Sequence, residues 1–205
     1  FLGLEVNYDD LRTDDTASAT LKKQAGTYSE LAANYRFTFD KRNRVFDPSD
    51  GNLISFGQSL PIYADSAAIS NTFQYNQYHM FSENLIGSTK FYFSAINGLG
   101  EDDVRLSKRR SLSSKRLRGF ERGKIGPVDG DDHVGGNYAA AINLEASLPN
   151  LLPDSTNAEV GFFLDFANVW EADYDDTIDD SNKLRSSIGS TVNWISPIGP
   201  LSFVL

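Results

Sequence analysis

The strongest constraint on this chain is a period-two alternation of apolar and polar residues that recurs in nine segments, with no helical period of useful length between them. Successive side chains of a strand point to opposite faces, so each segment resolves into an apolar row and a polar row. In the opening segment Leu2, Leu4, Val6 and Tyr8 share one face and Gly3, Glu5, Asn7 and Asp9 the other. Leu31, Ala33, Tyr35, Phe37 and Phe39 stand opposite Ala32, Asn34, Arg36, Thr38 and Asp40. The apolar row continues through Ile54, Phe56, Leu60 and Ile62, then Ile69, Phe73 and Tyr75, then Phe91, Phe93 and Ala95. It resumes at Ile142, Leu144, Ala146 and Leu148, at Val160, Phe162, Leu164 and Phe166, at Leu184, Ile188, Val192 and Trp194, and in the run Leu201 to Leu205. An all-β, antiparallel chain is predicted.

The connections alternate in character. Compact turns are expected at 47–51, 79–86, 149–157 and 196–200, each built from Pro, Gly, Asn, Asp or Ser. The other links, 10–26, the brief 63–68, the very long 98–136 and 171–183, are mostly longer and more acidic. A meander with one end of short turns and one of long loops produces this pattern, as membrane barrels do. Alternation is in force at the first residue and at the last, so the chain is expected to be an internal part of a longer protein, with unpaired sheet edges that keep it from closing stably alone.

A soluble β-sandwich alternates too. Segments of about ten residues suit a tilted membrane strand better than the shorter strands of soluble sheets. The polar row carries Glu5, Arg36, Asp40, Lys90, Glu145, Asp165 and Arg185, with Gly161 and Gly189 between charges, which suits a wet lumen rather than a second packed core. Tyr8, Phe39, Trp170 and Trp194 near segment ends fit interfacial girdles. Period alone thus favours a transmembrane β-barrel over a soluble sandwich. No apolar run of about 18 residues exists, so membrane helices are excluded. The net charge of −9 argues against holding nucleic-acid phosphates, and the lack of Cys removes disulfides, thiolate metal sites and thiol nucleophiles.

The link 98–136 is long for a compact domain, and such links tend to be functional or disordered. Its basic run from Arg105 to Arg116 reads by default as a solvated loop. Leu117-Arg118-Gly119-Phe120, followed by Ile125-Gly126-Pro127, adds Gly and Pro punctuation that imposes a defined turn. Taken alone, Arg118 is one more loop cation and Asp165 a solvated lumen carboxylate. The acidic residues Asp173, Asp175, Asp176, Asp179 and Asp180, with Asp129, Asp131 and Asp132, match no EF-hand spacing and read as solvated outer loops. His79 and His133 stand far apart, so no metal site is expected. No phosphate-binding glycine loop or Ser/His/Asp order is present, which disfavours an enzyme, and no cofactor is predicted.

These blocks resemble the outer-membrane protein assembly factor family (BamA). The resemblance is carried by Leu117 to Phe120, Ile125-Gly126-Pro127, Gly135-Gly136-Asn137 opening a strand that ends Leu144-Glu145-Ala146-Ser147-Leu148-Pro149, Phe163 to Trp170, Leu184-Arg185 leading to Ser187-Ile188-Gly189, and Trp194 to Leu201 with Pro197, Gly199 and Pro200. Upstream, Phe46 to Gly51 resembles the family's Phe-Pro-x-x-Gly turn. Leu117 stands where Val is common and Ala167 where Gly is; Asp47 intrudes before Pro48, and a Gly pair often preceding the Arg motif is absent.

The resemblance implies that residues 1–205 are a partial C-terminal barrel domain of the surface-antigen type, about nine strands of a 16-stranded barrel, the seventh to the fifteenth, with loop 98–136 folded into the lumen. It pairs Arg118 with Asp165 and sets Phe120 inside the lumen. It further implies a bacterial outer-membrane location, partnership with the bilayer, unfolded outer-membrane protein substrates and accessory assembly lipoproteins, and a role in folding and inserting other barrel proteins. Loss of Arg118 or Asp165 is expected to loosen the loop, and exchange of the two charges to restore it in part. Two rivals remain: a two-partner-secretion or related translocating pore on the same architecture, and a soluble ligand-binding β-protein.

Overall fold

The computed structural model describes residues 1–153, 156–178, 183–196 and 199–205. Nine strands form one antiparallel sheet in the order β1 (Leu2–Leu11), β2 (Gly26–Asp40), β3 (Gly51–Ala64), β4 (Ala68–Ser82), β5 (Leu85–Gly98), β8 (Tyr138–Leu148), β9 (Ala158–Trp170), β10 (Arg185–Ser196) and β11 (Gly199–Val204), with β1 and β11 at the two ends. Every main strand pairs with its neighbours in chain order, which is the expected meander. Between β5 and β8 a two-stranded hairpin, β6 (Val128–Asp129) and β7 (Asp132–His133), lies within the long loop.

The two faces follow the alternation. Leu2, Leu4, Val6, Phe37, Ile142, Leu144, Phe162 and Ile188 lie exposed on the outer face, whereas Ala139, Ala141, Asn143, Phe163, Asp165 and Ala167 on the inner face are buried beneath the loop. A row of large apolar side chains pointing away from the only packed material is unfavourable in water and favourable against hydrocarbon.

Strands β2 to β5 run 14 or 15 residues, longer than the ten expected. At about 3.3 Å per residue this is close to 50 Å, so pairing continues past the apolar band toward the long-loop end. The link 63–68 shrinks to residues 65–67 because of this extension. Pro61 is accommodated at a register shift opposite Leu31/Ala32, where a missing N–H costs no ladder bond.

One expectation fails locally. The link after β1 contains a helix, α1 (Ala19–Lys23), whose Ser18 N-cap accepts from the N–H of Leu21 at 3.1 Å. Five residues are too few to show a 3.6-residue period. In the β2–β3 turn the intruding Asp47 takes a left-handed φ of 48°, a conformation Asp tolerates, and Gly51 (φ 93°) lies too close to the Lys41 carbonyl for any side chain.

Candidate functional site

Loop 99–137 doubles back onto the inner wall. Its apolar underside, Leu112, Leu117 and Ile125, forms one buried cluster with Ala139 and Ala141 of β8 and Ala167 and Val169 of β9, with Tyr92 of β5 alongside. Small wall residues let the loop backbone come close. Ala167 and Leu117, two of the departures from the resembling pattern, are both buried in this cluster and so belong to its packing.

The motif glycines serve that approach. Gly126 (φ 118°) has Val169 where a Cβ would stand, 2.9 Å from its Cγ1, and the following Pro127 is fully buried. Gly135 (φ 69°) abuts the Arg110 carbonyl, and Gly136 abuts the Trp170 backbone. Arg110 and Gly136 exchange backbone hydrogen bonds of 2.6 and 3.0 Å, closing the two legs of the loop on each other. Gly119 (φ 80°) has open space around it, so it is required by conformation rather than by room.

Arg118 reaches Asp165 as expected. Its backbone N–H, Nε and Nη2 donate to the carboxylate at 3.1, 2.8 and 2.6 Å, a bidentate fork reinforced by the main chain. Asp165 is fully buried and also accepts from Asn143 Nδ2 at 2.8 Å. Asn143 sits directly opposite Asp165 in the β8–β9 register and donates in addition to the Arg116 carbonyl at 2.9 Å.

Four further contributors escaped the sequence reading. Glu145 of β8 lies 2.9 Å from Arg118 Nη1, giving the guanidinium a second carboxylate. Lys90 of β5 donates to Glu145, as does Ser88 at 3.2 Å. Phe163 of β9 presents its ring 3.8 Å below the guanidinium carbon. Two cations and two carboxylates drawn from the loop, β5, β8 and β9 therefore form a closed, neutral network. Phe120 is 37% exposed, after Gly119 (φ 80°) has turned the chain beyond Arg118.

The basic run is not a solvated loop. Arg105 and Arg109 are buried. Arg109 donates to Asp173 at 2.5 Å, to Asn137 Oδ1 at 2.8 Å and to the Val104 carbonyl at 2.7 Å, and covers the ring of Tyr174 at 4.6 Å. Arg105 lies over Tyr28, 3.5 Å from Asp9 and 3.8 Å from Glu30, while Lys108 binds Glu30. The acidic loops are pinned likewise. Asp129 accepts from Tyr174 at 2.9 Å and from Ser18 at 2.6 Å, tying three outer loops together. Burial and the Asp129 hydrogen bond push the Tyr174 phenol well above its ordinary value. Desolvating the run is offset by carboxylates distant in sequence, a pairing no local pattern reveals. Among the described residues no metal-holding group of side chains occurs. Asp179, Asp180 and Pro197 lie outside the described residues; Gly199 (φ 122°) opens β11, where Pro200 pairs with Ile195.

The Omp85 superfamily domain matches residues 2–205. The outer membrane protein assembly factor BamA of Neorickettsia risticii is 28% identical over 98% of this chain and 28% of its own length. The protein of the same name from Nitratidesulfovibrio vulgaris is 28% identical over 93% of this chain and 24% of its own length. The chain thus spans about a quarter of the relatives it matches. A crystal structure of BamA from Haemophilus ducreyi lacking POTRA domains 1–3 superposes with a TM-score of 0.83 at 24% identity, covering 99% of this chain and 46% of that one.

Proposed function

Because the chain belongs to the Omp85 superfamily, we propose that it is the C-terminal wall, with lumen loop, of a protein that folds and inserts other β-barrel proteins into the bacterial outer membrane. Its outer row of Leu, Val, Ile and Phe meets hydrocarbon, and its long-loop end faces outward. Unfolded outer-membrane proteins are its substrates and accessory lipoproteins its partners. No covalent bond is made or broken; the work is presentation and release of strands.

The observation that carries this reading is the bidentate clamp of Arg118 on a fully buried Asp165, backed by Glu145. Such a clamp fixes one loop against β8 and β9 and keeps that wall in register. A wall that must stay closed while another part of the barrel opens needs such a brace. The assay is the rate at which the full-length protein in liposomes folds a small denatured outer-membrane barrel. Arg118→Ala should slow assembly at least tenfold while leaving the protein membrane-inserted and heat-modifiable. Unchanged assembly would remove the bracing role. Ion conductance coupled to export of one dedicated soluble substrate, with no folding of barrels, would make the protein a translocating pore instead.

A further inference from the structure

The loop is held on its two sides by different means. Toward β5, β8 and β9 it packs through an apolar cluster. Toward β1 to β4 it faces a cavity of about 600 Å³, lined mostly by polar side chains of those strands and by the basic run. Four cations, Arg36, Arg105, Lys108 and Arg110, line this cavity against two carboxylates, Glu5 and Glu30. Asp9, 3.5 Å from Arg105, brings a third carboxylate, and the site still keeps a positive excess in a chain whose net charge is −9.

The pairing leaves two of the four cations, Arg110 and Arg36, without a carboxylate among the described residues. Glu30 is taken by Lys108 and, more loosely, by Arg105. Glu5 accepts from Asn7 at 3.0 Å and Asn34 at 2.6 Å. Arg105 is 5% exposed, and its Nε has no hydrogen-bond partner. Arg110 donates through Nη2 to Ser70 of β4, its Nε is buried without a partner, and among the described residues no carboxylate lies within 4.0 Å of it. Burial draws its guanidinium below the ordinary Arg value, as expected for a cation without a counter-charge. Arg36, from β2, likewise has no ion pair among the described residues. A guanidinium carries five donors in a fork matched to oxyanions, and a buried donor left without a partner is unfavourable.

We propose that this lumen cavity is a binding site for an oxyanion of the phosphate class, held between Arg110 of the loop and Arg36 of β2, with the unpartnered Nε of Arg105 alongside. The several oxygens of phosphate suit the forks of two guanidiniums that have no carboxylate partner. Ser70 and Thr72 of β4 supply hydroxyls on the same wall. The volume admits the anion with part of its water, at about 30 Å³ per molecule. Bound there, it adds to the polar contacts, Lys108 to Glu30 and Arg110 to Ser70, that join the loop to β2 and β4. The inference rests on the loop and wall geometry and is independent of the assembly activity.

The test uses the full-length protein in detergent micelles, titrated with inorganic phosphate against chloride at matched ionic strength. Binding is followed by ³¹P line broadening and by hydrogen exchange of residues 105–112. The expected result is saturable binding that slows exchange in that segment. Arg110→Gln should weaken binding at least tenfold and the exposed Arg36→Gln by a smaller factor. Arg122→Gln, an exposed loop cation outside the cavity, should leave it unchanged. Protection around Leu117 and Ile125 reports that each variant keeps the loop docked. Absence of saturable phosphate binding, or binding indifferent to both Arg110→Gln and Arg36→Gln, overturns the proposal.

Discussion

Asp165→Asn isolates the charge in the loop clamp, because the amide keeps the shape of the carboxylate and loses only its charge and part of its accepting capacity. Three donors of Arg118 and one of Asn143 converge on Asp165, which is fully buried. Breaking a buried pair by removing one partner costs about 3–5 kcal/mol. Glu145, 2.9 Å from Nη1, retains one charge-assisted contact, worth about 1.5–3 kcal/mol. The net loss of docking free energy is therefore about 1.5–2 kcal/mol, a roughly 10- to 30-fold rise in the undocked population. Hydrogen exchange of the full-length protein reads it directly: amides near Leu117 and Ile125 should exchange faster by that factor, while those of β2 to β4 stay as they were. A change under threefold, or equal acceleration throughout the strands, refutes the clamp. The same geometry revises the expected rescue by charge exchange. Arg118→Asp combined with Asp165→Arg sets the new carboxylate beside Glu145 and the new guanidinium away from the Phe163 ring. Little docking should return until Glu145→Gln is added.

Substitutions elsewhere separate conformation from packing. Gly136→Ala drives a methyl into the Trp170 backbone and should cost about 3 kcal/mol or more in thermal stability, whereas Gly119→Ala, left-handed but in open space, should cost about 1–2 kcal/mol. Leu117→Ala hollows the loop cluster and should destabilise docking by about 2–5 kcal/mol, measured by protease protection of residues 99–137. Tyr174→Phe removes the bond to Asp129 and should loosen the outer loops by about 1 kcal/mol at neutral pH. The folded phenol holds its proton above the ordinary value of 10.0. Its contribution is therefore complete below pH 10 and is lost as pH rises through the folded value. Proteolysis of the outer loops should accelerate above pH 10 in the parent and lack that step in Tyr174→Phe.

What could be read beforehand follows from what period two encodes. It separates faces, so the lipid row from Leu2 to Ile188 and the position of Asp165 on the inner wall were legible residue by residue. It does not encode register, and the clamp depends on register: Asn143 faces Asp165 and Glu145 faces Phe163 only because β8 and β9 pair as they do. Glu145 and Lys90 were visible as polar inner-wall residues, but nothing local distinguished them from Glu5 or Arg185. The basic run was misread for a related reason. Its charge pattern is that of a solvated loop, and its partners Asp9, Glu30 and Asp173 lie 64 to 98 residues away. Short elements escaped for lack of length, α1 above all. Arg118 and Asp165 themselves were paired through resemblance, since sequence alone offers no sign that a loop turns inward.

The asymmetry of the docked loop is a consequence of where small residues fall on the wall. Ala139, Ala141 and Ala167 line the inner face of β8 and β9, whereas β1 and β2 present Glu5, Asn34 and Arg36 there. Alanines admit a loop backbone and its Leu and Ile side chains; charged and amide side chains keep it at a distance and hold it only through ions. Apolar packing is non-directional and tolerates small shifts, while a fork such as Arg118 on Asp165 admits one arrangement. Packing therefore supplies the adhesion to β8 and β9, and the clamp supplies the register. Toward β1 and β2 the loop is held by ion pairs to Asp9 and Glu30 and by Arg105 stacked on Tyr28, so the two walls hold it by different chemistry, set by the side chains of a single polar row.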